Sequence, residues 1–493
     1  MTETAPVYTI GIDIGTTSLG LVAADANDGR TVYAADAPNG ADVPARRADE
    51  RLQHPDRIVR AVRDLLNACP GDVLARVAAI GVSSQMHGML YVDAGGRAVS
   101  PLYTWQDARG ERKLSDGRTH VGRLREETGY PLSAGYGLVT HAVLAHSGEV
   151  PPEAAHLCTI GDYVAMRLCG LAAPRTDASH AAALGLFDLK VRAFDEAAVV
   201  RAGIDPRLLP DVAGPGEAAL GRTEEGRIVA CAVGDNQASF LGAVPALTGS
   251  LLLNVGTGAQ TSAFTGDHVD VVGASGLELR PFPGGGYLLV GATLGGGKVY
   301  ELLARFVAET CLAFAGTVPD RKSIYETLNR LALRALDEGL SLPRVNPSFY
   351  GTRAEPDRRG AIVGLGEANW SPQRLAAGFL AGLADELAAF RDAMPAPLRA
   401  AAQVAIGSGN GIRRNPALRR LLRDRLGMPV RLPAAGEEAA FGAAVHAAVA
   451  AGLYPDHEAA LARMGQPLLT AAENEEADAG DRADRAADAD RGK

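Results

Sequence analysis

Cysteine, aromatic residues and blocks of basic charge are all scarce in this chain of 493 residues. The cysteines form no CxxC pair and no spacing that suits a zinc site or a disulfide framework, so we expect reduced thiols in a cytoplasmic protein. The formal net charge is −9, and no basic block is present that could replace the counterions of a nucleic acid. We therefore expect no nucleic-acid partner. The five cysteines are Cys69, Cys158, Cys169, Cys231 and Cys311.

A membrane-spanning segment is also lacking. The first ten residues, MTETAPVYTI, contain no basic region followed by an apolar run and do not resemble a signal peptide. Residues 236–266 carry no charge and are long enough to cross a bilayer. Pro245, Gly249 and Asn254 are among the residues that interrupt this stretch, so we expect a helix end, a strand and a polar turn there. We predict no membrane partner.

The chain is longer than one hydrophobic core usually supports, and its 47% apolar and 22% charged residues are typical of a globular protein. From residue 8 the pattern predicts the order β-β-β-α-β, and from residue 250 a similar plan recurs, again opening on a strand, a turn and a strand. We place the boundary near Ala246. The predicted units are residues 1–245, residues 246–465 and an acidic tail, 466–493, that we expect to be disordered.

Two short turns at corresponding places in this repeat could bind phosphate. In GIDIGTTS, Asp13 precedes a turn whose backbone N–H groups and hydroxyls could surround an anion, while the acid could hold Mg²⁺ through water. Gly256-Thr257-Gly258 offers a matching turn in the second half. An ordinary hairpin with an exposed Asp13 is the alternative for the first turn. The hydroxyl residues of that turn are Thr16, Thr17 and Ser18.

Two further glycine-rich segments are less specific. GATLGGGKV places Lys298 one residue too late for a Walker-type loop, and Val299 follows it, so we reject that interpretation. GSGNG at 407–411 follows a predicted strand but lacks the third glycine of a dinucleotide turn. It could bring backbone close to an adenosine or could be a plain turn.

Asp235 lies in CAVGDNQASF, between a short apolar strand and a helical stretch. An Asp at this place could simply cap the helix. A carboxylate is also what a hydroxyl needs to take its proton when it attacks ATP. Asp235 is therefore the candidate general base.

The segments QMHG (85–88) and TWQDAR (104–109) combine polar groups with one of only two tryptophans. A sugar site uses an aromatic ring to cover C–H faces and polar side chains to bind hydroxyls. Trp105 could instead be a core or interface aromatic residue, and His87 a buried histidine with satisfied hydrogen bonds.

Together these segments resemble the FGGY carbohydrate kinases, in the same order, from about Tyr8 to Leu453; NVGTGAQ, GSGNGIRRNP and EEAAFGAA complete the set. The resemblance implies an α/β fold of two actin-like (ribonuclease-H-type) domains with a cleft between them, sugar held mainly by the first and ATP by the second. It implies Asp235 as base and Asp13 and Asp235 as Mg²⁺ residues. The implied sugar-binding residues are Gln85, Met86, His87, Trp105, Asp107, Arg109 and Asn236. The implied ATP-binding residues are Thr16, Thr17, Ser18, Gly256, Thr257, Gly258, Gly296, Gly409, Asn410 and Asn415.

Within this family, the spacer segments IGDYVAMRLCGL and TDASHAAALGLFDL are most similar to the sedoheptulokinase branch. Asn236 is a departure, because xylulokinases commonly have Asn after the base, so a xylulokinase-like pentulose kinase is the alternative. A non-catalytic sugar-binding protein and an actin-like ATPase are the other classes considered. Asp13 and Asp235 argue against the first of these, and QMHG and TWQDAR against the second. The oligomeric state stays open, with a homodimer among the options.

Overall fold

The computed structural model describes residues 6–271, 276–352, 355, 357–470 and 473. Of the acidic segment 466–493 that was predicted to be a disordered tail, residues 471, 472 and 474–493 lie outside the described residues. In the described part of the chain, no helix is both long and apolar enough to span a membrane.

The first half of the chain contains one large sheet and several sheets of two or three short strands. Its strands are β1 (Tyr8–Ile14), β2 (Ser18–Asp25), β3 (Thr31–Pro38), β4 (Asp42–Val43), β5 (Leu52–Gln53), β6 (Val77–Ser84), β7 (Leu90–Val92), β8 (Leu102–Tyr103), β9 (His156–Cys158), β10 (Arg175–Thr176), β11 (Phe187–Asp188), β12 (Ala193–Phe194), β13 (Asp211–Val212), β14 (Ala219–Arg222), β15 (Ile228–Ala230) and β16 (Val233–Gly234). Its helices are α1 (Pro55–Ala68), α2 (Gly71–Leu74), α3 (His120–Thr128), α4 (Gly137–His146), α5 (Ile160–Cys169), α6 (Ala178–Leu184), α7 (Glu196–Arg201) and α8 (Asp235–Ala243), with 3₁₀ turns at Arg109–Glu111 and Pro206–Leu208.

The second half contains another large sheet and a two-stranded sheet. Its strands are β17 (Ser250–Val255), β18 (Ala259–Thr265), β19 (Leu277–Pro281), β20 (Tyr287–Thr293), β21 (Arg344–Asn346), β22 (Ala361–Val363), β23 (Val404–Ser408) and β24 (Val430–Arg431). Its helices are α9 (Gly296–Ala315), α10 (Arg321–Asp337), α11 (Pro372–Ala393), α12 (Ala396–Ala401), α13 (Asn410–Arg413), α14 (Pro416–Leu426), α15 (Glu438–Ala450) and α16 (His457–Met464), with a 3₁₀ turn at Glu367–Asn369.

The two large sheets share one plan, as the sequence repeat predicts. In the first, strand order is β14-β15-β6-β1-β2-β3, and in the second it is β19-β20-β18-β17-β23-β24. In each, a central strand forms an antiparallel hairpin with the next strand, as β1 does with β2 and β17 with β18. On its other side the same central strand pairs in parallel, β1 with β6 and β17 with β23. Both halves therefore place a hairpin turn beside the carboxyl end of a parallel strand.

Local sequence accounts for these elements. The central strand β1 is buried along nearly its whole length, as expected for a strand covered on both faces. Helix α1 has Pro at its first position and buries Ile58, Val59, Val62 and Leu65, which are four of the positions that the helical spacing predicted. Residues 236–266, weighed above as a membrane span, form most of α8, then β17 and β18 with a polar turn between them, which confirms the helix end, strand and turn.

Helices α8 and α15 pack together and join the two sheets. One core cluster contains Phe240 of α8, Phe441 of α15, Val22 of the first sheet and Leu252 of the second. The helices approach so closely that a Cβ on Gly242 would lie 1.8 Å from the Glu438 carbonyl oxygen. Although α15 follows the second sheet in the chain, it packs on β1 and β6 of the first. The core between the halves is thus continuous.

Candidate active site

The carboxyl ends of neighbouring strands bring Asp13 and Asp235 together. In β1, Asp13 pairs with Ser83 of the parallel strand β6, and on the other side of β6 Val233 also pairs with Ser83. Asp235 follows β16 directly. The Ser83 hydroxyl donates a hydrogen bond to Asp13 Oδ1 at 2.7 Å. Parallel pairing therefore explains why two acids more than two hundred residues apart share one site.

Both carboxyl groups titrate well above their ordinary range. Burial first, and then the negative charges of Asp235 and Glu437, raise the pKa of Asp13 to about 7, against a lowering by the Ser83 hydrogen bond. Burial raises the pKa of Asp235 to about 6, while the Asn236 backbone N–H and the Arg280 charge lower it. A base with a pKa near neutrality is effective in proton transfer.

Asp235 is not the cap of the helix that follows it. Gly234 occupies the N-cap position of α8, and Asp235 is the first helical residue. The carboxylate therefore lies at the positive end of the helix dipole, which favours a negative charge there. The helix-cap alternative for Asp235 is not what the structure shows.

The two acids fit a magnesium ion that also contacts phosphates. Mg²⁺ in nucleotide sites is commonly held by one or two carboxylates together with phosphate oxygens, and not by a cage of protein ligands. Within the described residues, no group of three or more His, Cys, Asp or Glu could hold a metal ion. Asp13 and Asp235 are the two carboxylates that could hold such a shared ion.

Glu437 is a third carboxylate near Asp13, and sequence reasoning missed it. It lies at the N-terminus of α15 with φ +60°, in the left-handed region that non-glycine residues seldom adopt. A Cβ on Gly20 would lie 2.6 Å from Glu437 Oε2, so the glycine leaves room for this side chain beside β2. The EE pair before an alanine-rich helix marked only a helix start, because nothing local shows that α15 returns to the first sheet.

The first hairpin turn is held by a network of polar side chains. Gly15 N–H donates to the Ser18 carbonyl oxygen at 3.0 Å and closes the turn. Thr16 Oγ1 accepts from the Trp105 indole N–H at 3.1 Å and donates to Gln85 Oε1 at 3.3 Å. The Thr16 hydroxyl is thus bonded to protein, whereas Thr17 and Ser18 are exposed. Of the three predicted phosphate-turn hydroxyls, two lie open and one links the turn to the predicted sugar residues.

Gln53 completes this network and was not predicted. Its Nε2 donates to the Thr16 carbonyl oxygen at 2.8 Å, and its Oε1 accepts from Gln85 Nε2 at 3.0 Å. Gln53 lies on β5, a two-residue strand, and is almost fully buried. A single glutamine in a short strand has no sequence pattern that distinguishes it, so only the tertiary contact identifies it.

His87 and Trp105 present their rings differently. His87 has φ +73°, and its Nδ1 lies 2.9 Å from the Ala183 carbonyl oxygen. Its ring stacks on Tyr136 with centroids 4.5 Å apart. Such a backbone conformation costs energy and is characteristic of binding sites. Trp105 is 47% exposed, so it is not the core residue that the alternative interpretation envisaged.

Asp107 and Arg109 form a fully buried pair. Arg109 Nε and Nη2 donate to the two Asp107 oxygens at 2.6 and 2.9 Å, and the guanidinium lies 4.4 Å from the centre of the Tyr103 ring. The Asp107 carboxylate also accepts backbone N–H bonds from Arg51 and Arg109. Both side chains are engaged with protein, so their geometry favours shaping the loop that carries Trp105.

Asn236 and Arg280 join the two halves beside Asp235. Arg280, on β19 of the second sheet, donates from Nη1 to Asn236 Oδ1 at 3.2 Å. Asn236 is buried, and its Nδ2 has no hydrogen-bond partner among the described residues. Arg280 also lines a cavity of about 700 Å³. Its lining includes Met86, His87, Tyr136, Lys190, Glu278 and Arg280.

The second hairpin turn, Gly256–Gly258, meets two other glycine segments. A Cβ on Gly296, the first residue of α9, would lie 2.0 Å from the Gly258 carbonyl carbon. A Cβ on Gly409 would lie 2.6 Å from the Val255 carbonyl oxygen. Only glycine permits these approaches. The three glycine segments therefore converge at the second hairpin turn, and the Gly297 N–H of α9 donates to the Gly256 carbonyl oxygen at 2.9 Å, which holds the turn against the helix.

The remaining predicted nucleotide residues differ in their surroundings. Thr257 and Asn410 are exposed and open to a ligand. Asn415 is buried: its Oδ1 accepts from Leu418 N–H as the cap of α14, and its Nδ2 donates to Asn329 Oδ1 at 3.0 Å. Its amide is thus occupied by structural bonds.

The structure has two lobes with the same strand plan. Paired acids lie at strand ends in the first lobe, and glycine turns converge in the second. These features define a two-lobed kinase of the actin-like class. Models of the FGGY family of carbohydrate kinases match the chain, the N-terminal domain over residues 8–242 and the C-terminal domain over residues 255–451. The chain belongs to the FGGY family of carbohydrate kinases and is a phosphotransferase, as its motifs predicted.

Its relatives act on different substrates. The chain is 28% identical over 471 residues to the sedoheptulokinase of Mus musculus, covering 89% of this chain and 96% of the relative. It is 29% identical over 496 residues to a xylulose kinase of Streptomyces coelicolor, covering 95% and 93%. Overall identity therefore does not distinguish between these two sugars.

Solved structures confirm the predicted two-domain, actin-like α/β fold. A ligand-bound xylulose kinase from Lactobacillus acidophilus superposes with a TM-score of 0.77 at 21% identity, covering 94% of this chain and 93% of that one. A Plasmodium falciparum glycerol kinase with ADP superposes with a TM-score of 0.75 at 17% identity, covering 93% of each chain.

Proposed function

We propose that this kinase transfers the γ-phosphoryl group of ATP to a hydroxyl of a ketose, with sedoheptulose as substrate and sedoheptulose 7-phosphate as product. The observation that carries the proposal is the pair Asp13 and Asp235, side by side at the strand ends with pKa values near neutrality. Asp235 is the general base, and Asp13 together with Asp235 would hold the magnesium ion that accompanies ATP.

Each half of the molecule contributes a separate part of the chemistry. Asp235 accepts the proton of the attacking hydroxyl, so that the oxygen can bond to phosphorus as the bond to ADP breaks. Bound Mg²⁺ neutralises charge on the phosphates. The turns at Gly256–Gly258 and Thr16–Ser18 supply backbone N–H groups and hydroxyls to the phosphate oxygens. His87, Trp105 and Asn236 bind and orient the sugar.

The seven-carbon sugar is preferred for two reasons. The spacer segments are most similar to the sedoheptulokinase branch, and the cavity beside Arg280 extends the space available to a sugar beyond the reacting end. A xylulokinase-like pentulose kinase is the second candidate, and the Streptomyces coelicolor relative together with Asn236 favours it. The glycerol kinase with ADP supports adenine nucleotide as donor.

The test is ADP release by the full chain over five-, six- and seven-carbon ketoses, comparing wild type with Asp235→Asn. Loss of a general base costs on the order of a hundredfold to ten-thousandfold in rate, whereas ATP affinity stays near the wild-type value. Asp211→Asn, an exposed acid of the same half, is the control and should keep full activity. An Asp235→Asn enzyme within a few-fold of wild type would refute the assignment, and a wild type inactive on every ketose would favour the non-catalytic alternative.

A further inference from the structure

Arg280, on the second sheet, donates a hydrogen bond to the side-chain amide of Asn236, the residue next to the proposed base. It sits on β19, is mostly buried, and divides its donors between Asn236 Oδ1 at 3.2 Å and Glu278 Oε2 at 2.8 Å. A guanidinium has five N–H donors in a rigid fork. Two of these donors make the bonds to Asn236 and Glu278, and Arg280 also lines the cavity.

The Asn236 amide has one group still to satisfy. Arg280 holds its Oδ1, but its buried Nδ2 lacks a hydrogen-bond partner among the described residues. A buried donor without a partner costs about 1–3 kcal/mol, so proteins rarely leave one unless a ligand completes it. An acceptor oxygen of a bound molecule would complete the bonds of this amide directly beside Asp235.

The cavity is larger than a short sugar needs. At roughly 30 Å³ for each water-sized group, even the fourteen non-hydrogen atoms of a seven-carbon ketose fill roughly 400 Å³. The cavity of about 700 Å³ accommodates that chain, and its lining includes His87, Arg280 and residues 188–190. A five-carbon chain would fill less of this cavity and leave the rest to water.

The charges of the cavity suit a neutral ligand. Its lining holds three carboxylates, those of Asp188, Asp270 and Glu278, and two permanent cations, Lys190 and Arg280. Glu278 pairs with Arg280, and Asp270 lies 3.4 Å from Lys190. Three negative and two positive groups leave no excess of cations for a sugar acid or a sugar phosphate. Alternating donors and acceptors instead match the hydroxyl groups of a polyol.

We propose that Arg280 is a specificity-determining residue: with Glu278 and Asn236 it binds the hydroxyl groups of a neutral polyol chain that extends from the reacting end into the cavity, and so selects long-chain ketoses. The inference rests on the proposed ketose kinase activity and assigns part of the sugar site to the second sheet. Arg280 acts on the sugar and, through Asn236, positions the end of the chain that meets Asp235.

The test compares Arg280→Ala, Arg280→Lys and wild type on sedoheptulose and xylulose. Hydrogen bonds to charged groups contribute about 1.5–3 kcal/mol, so Arg280→Ala should lower kcat/KM for sedoheptulose about tenfold to hundredfold. The ratio of sedoheptulose to xylulose kcat/KM should fall at least about tenfold, because xylulose makes fewer of these bonds. Arg334→Ala, which removes a guanidinium from an exposed ion pair with Glu338 and does not line the cavity, is the matched control and should leave the ratio unchanged.

Two further readouts separate specificity from a merely structural role. Because the Arg280 charge lowers the pKa of Asp235, Arg280→Ala should shift the acid limb of the kcat/KM profile to higher pH, whereas Arg280→Lys should not. Calorimetric titration of each sugar, with the melting temperature as a check on folding, measures the same selectivity without turnover. If Arg280→Ala does not fold, Arg280→Lys and Glu278→Gln carry the comparison.

The outcomes distinguish this inference from the function on which it rests. Equal losses on both sugars, or a wild type that binds and phosphorylates xylulose better than sedoheptulose, would overturn the role of Arg280 and leave the ketose kinase standing. A wild type that phosphorylates no ketose would overturn the proposed function, while calorimetry would still decide whether long-chain ketoses bind through Arg280.

Discussion

The two hairpin turns of this kinase occupy the same place in two similar sheets, but their surroundings differ. The first, Gly15–Ser18, lies beside Asp13 and is tied to Trp105 and Gln85 through Thr16. The second, Gly256–Gly258, lies against the N-terminus of the 20-residue helix α9. The same kind of hairpin turn is thus surrounded by carboxylates and amides in the first half, and by glycines and the N-terminus of a helix in the second.

This difference indicates how two sheets with the same strand plan can have different roles in one reaction. In the proposed function, acids at the first turn attract a cation and accept a proton, whereas the second turn binds the anionic phosphates. The strand plan alone is symmetric and would allow either role in either half. The side chains that converge on each turn break that symmetry, and substitutions at matched positions should separate the roles.

Asp13→Asn should produce the largest effect and acts on the acidic turn. A metal ion contributes several kcal/mol to transition-state stabilisation, so we expect kcat to fall at least about a hundredfold. Titration with Mg²⁺ in the coupled assay should recover part of this loss, because the variant weakens the affinity for the ion. A variant with wild-type kcat and an unchanged Mg²⁺ requirement would show that Asp13 has no part in the metal site.

The same variant should be more stable than wild type at high pH. The folded pKa of Asp13, about 7, is above its ordinary value of 3.8, so the folded protein binds the proton more tightly than the unfolded chain. The stability that this proton supplies is present at low pH and is lost as pH rises from about 4 to about 7. Thermal melting should therefore show a higher Tm for Asp13→Asn at pH 8, and little difference at pH 4.

Gly258→Val acts on the second turn and should have an intermediate effect. A Cβ at this position would lie 3.0 Å from the Thr293 carbonyl oxygen, so the larger side chain must displace the turn. We expect the KM for ATP to rise about tenfold, equivalent to about 1.4 kcal/mol, with the KM for sugar nearly unchanged. Gly266→Val is the control. Gly266 follows β18, the strand after the turn, and a Cβ there meets nothing within 4 Å. A change confined to sugar affinity would mean that the turn faces the other substrate.

The smallest effects should come from the matched pair Thr16→Val and Thr257→Val. Thr16→Val removes the hydroxyl that links Trp105 to Gln85, and a net loss of about 0.5–1.5 kcal/mol should raise the KM for sugar by a few-fold up to about tenfold. Thr257 is exposed on the second turn, so its variant should raise the KM for ATP by a similar factor and spare the sugar. Steady-state kinetics with each substrate varied in turn would show the crossing pattern. Identical responses from both variants would contradict the division of labour.

Local patterns in the sequence were sufficient for much of the fold. Burial of β1 and the spacing of α1 follow from residue type and periodicity, and the strand-turn-strand units recur where the repeat places them. Asp13 stood out because it precedes a turn rich in glycine and hydroxyl residues, and Asp235 because it directly follows an apolar strand. These features depend on neighbours within a few residues, which the chain order displays.

Only the tertiary structure decided which groups meet. Parallel pairing of β1 and β16 with β6 brings Asp13 to Asp235, the return of α15 brings Glu437 to the first turn, and β19 brings Arg280 to Asn236. Asn415, predicted to bind nucleotide, caps α14, and the side chains of Asp107 and Arg109 bind each other. The sequence thus determined the family, the elements and the two acids. Burial, charge proximity and the approach of glycines to distant carbonyls are set by contacts between remote segments, which no local pattern records.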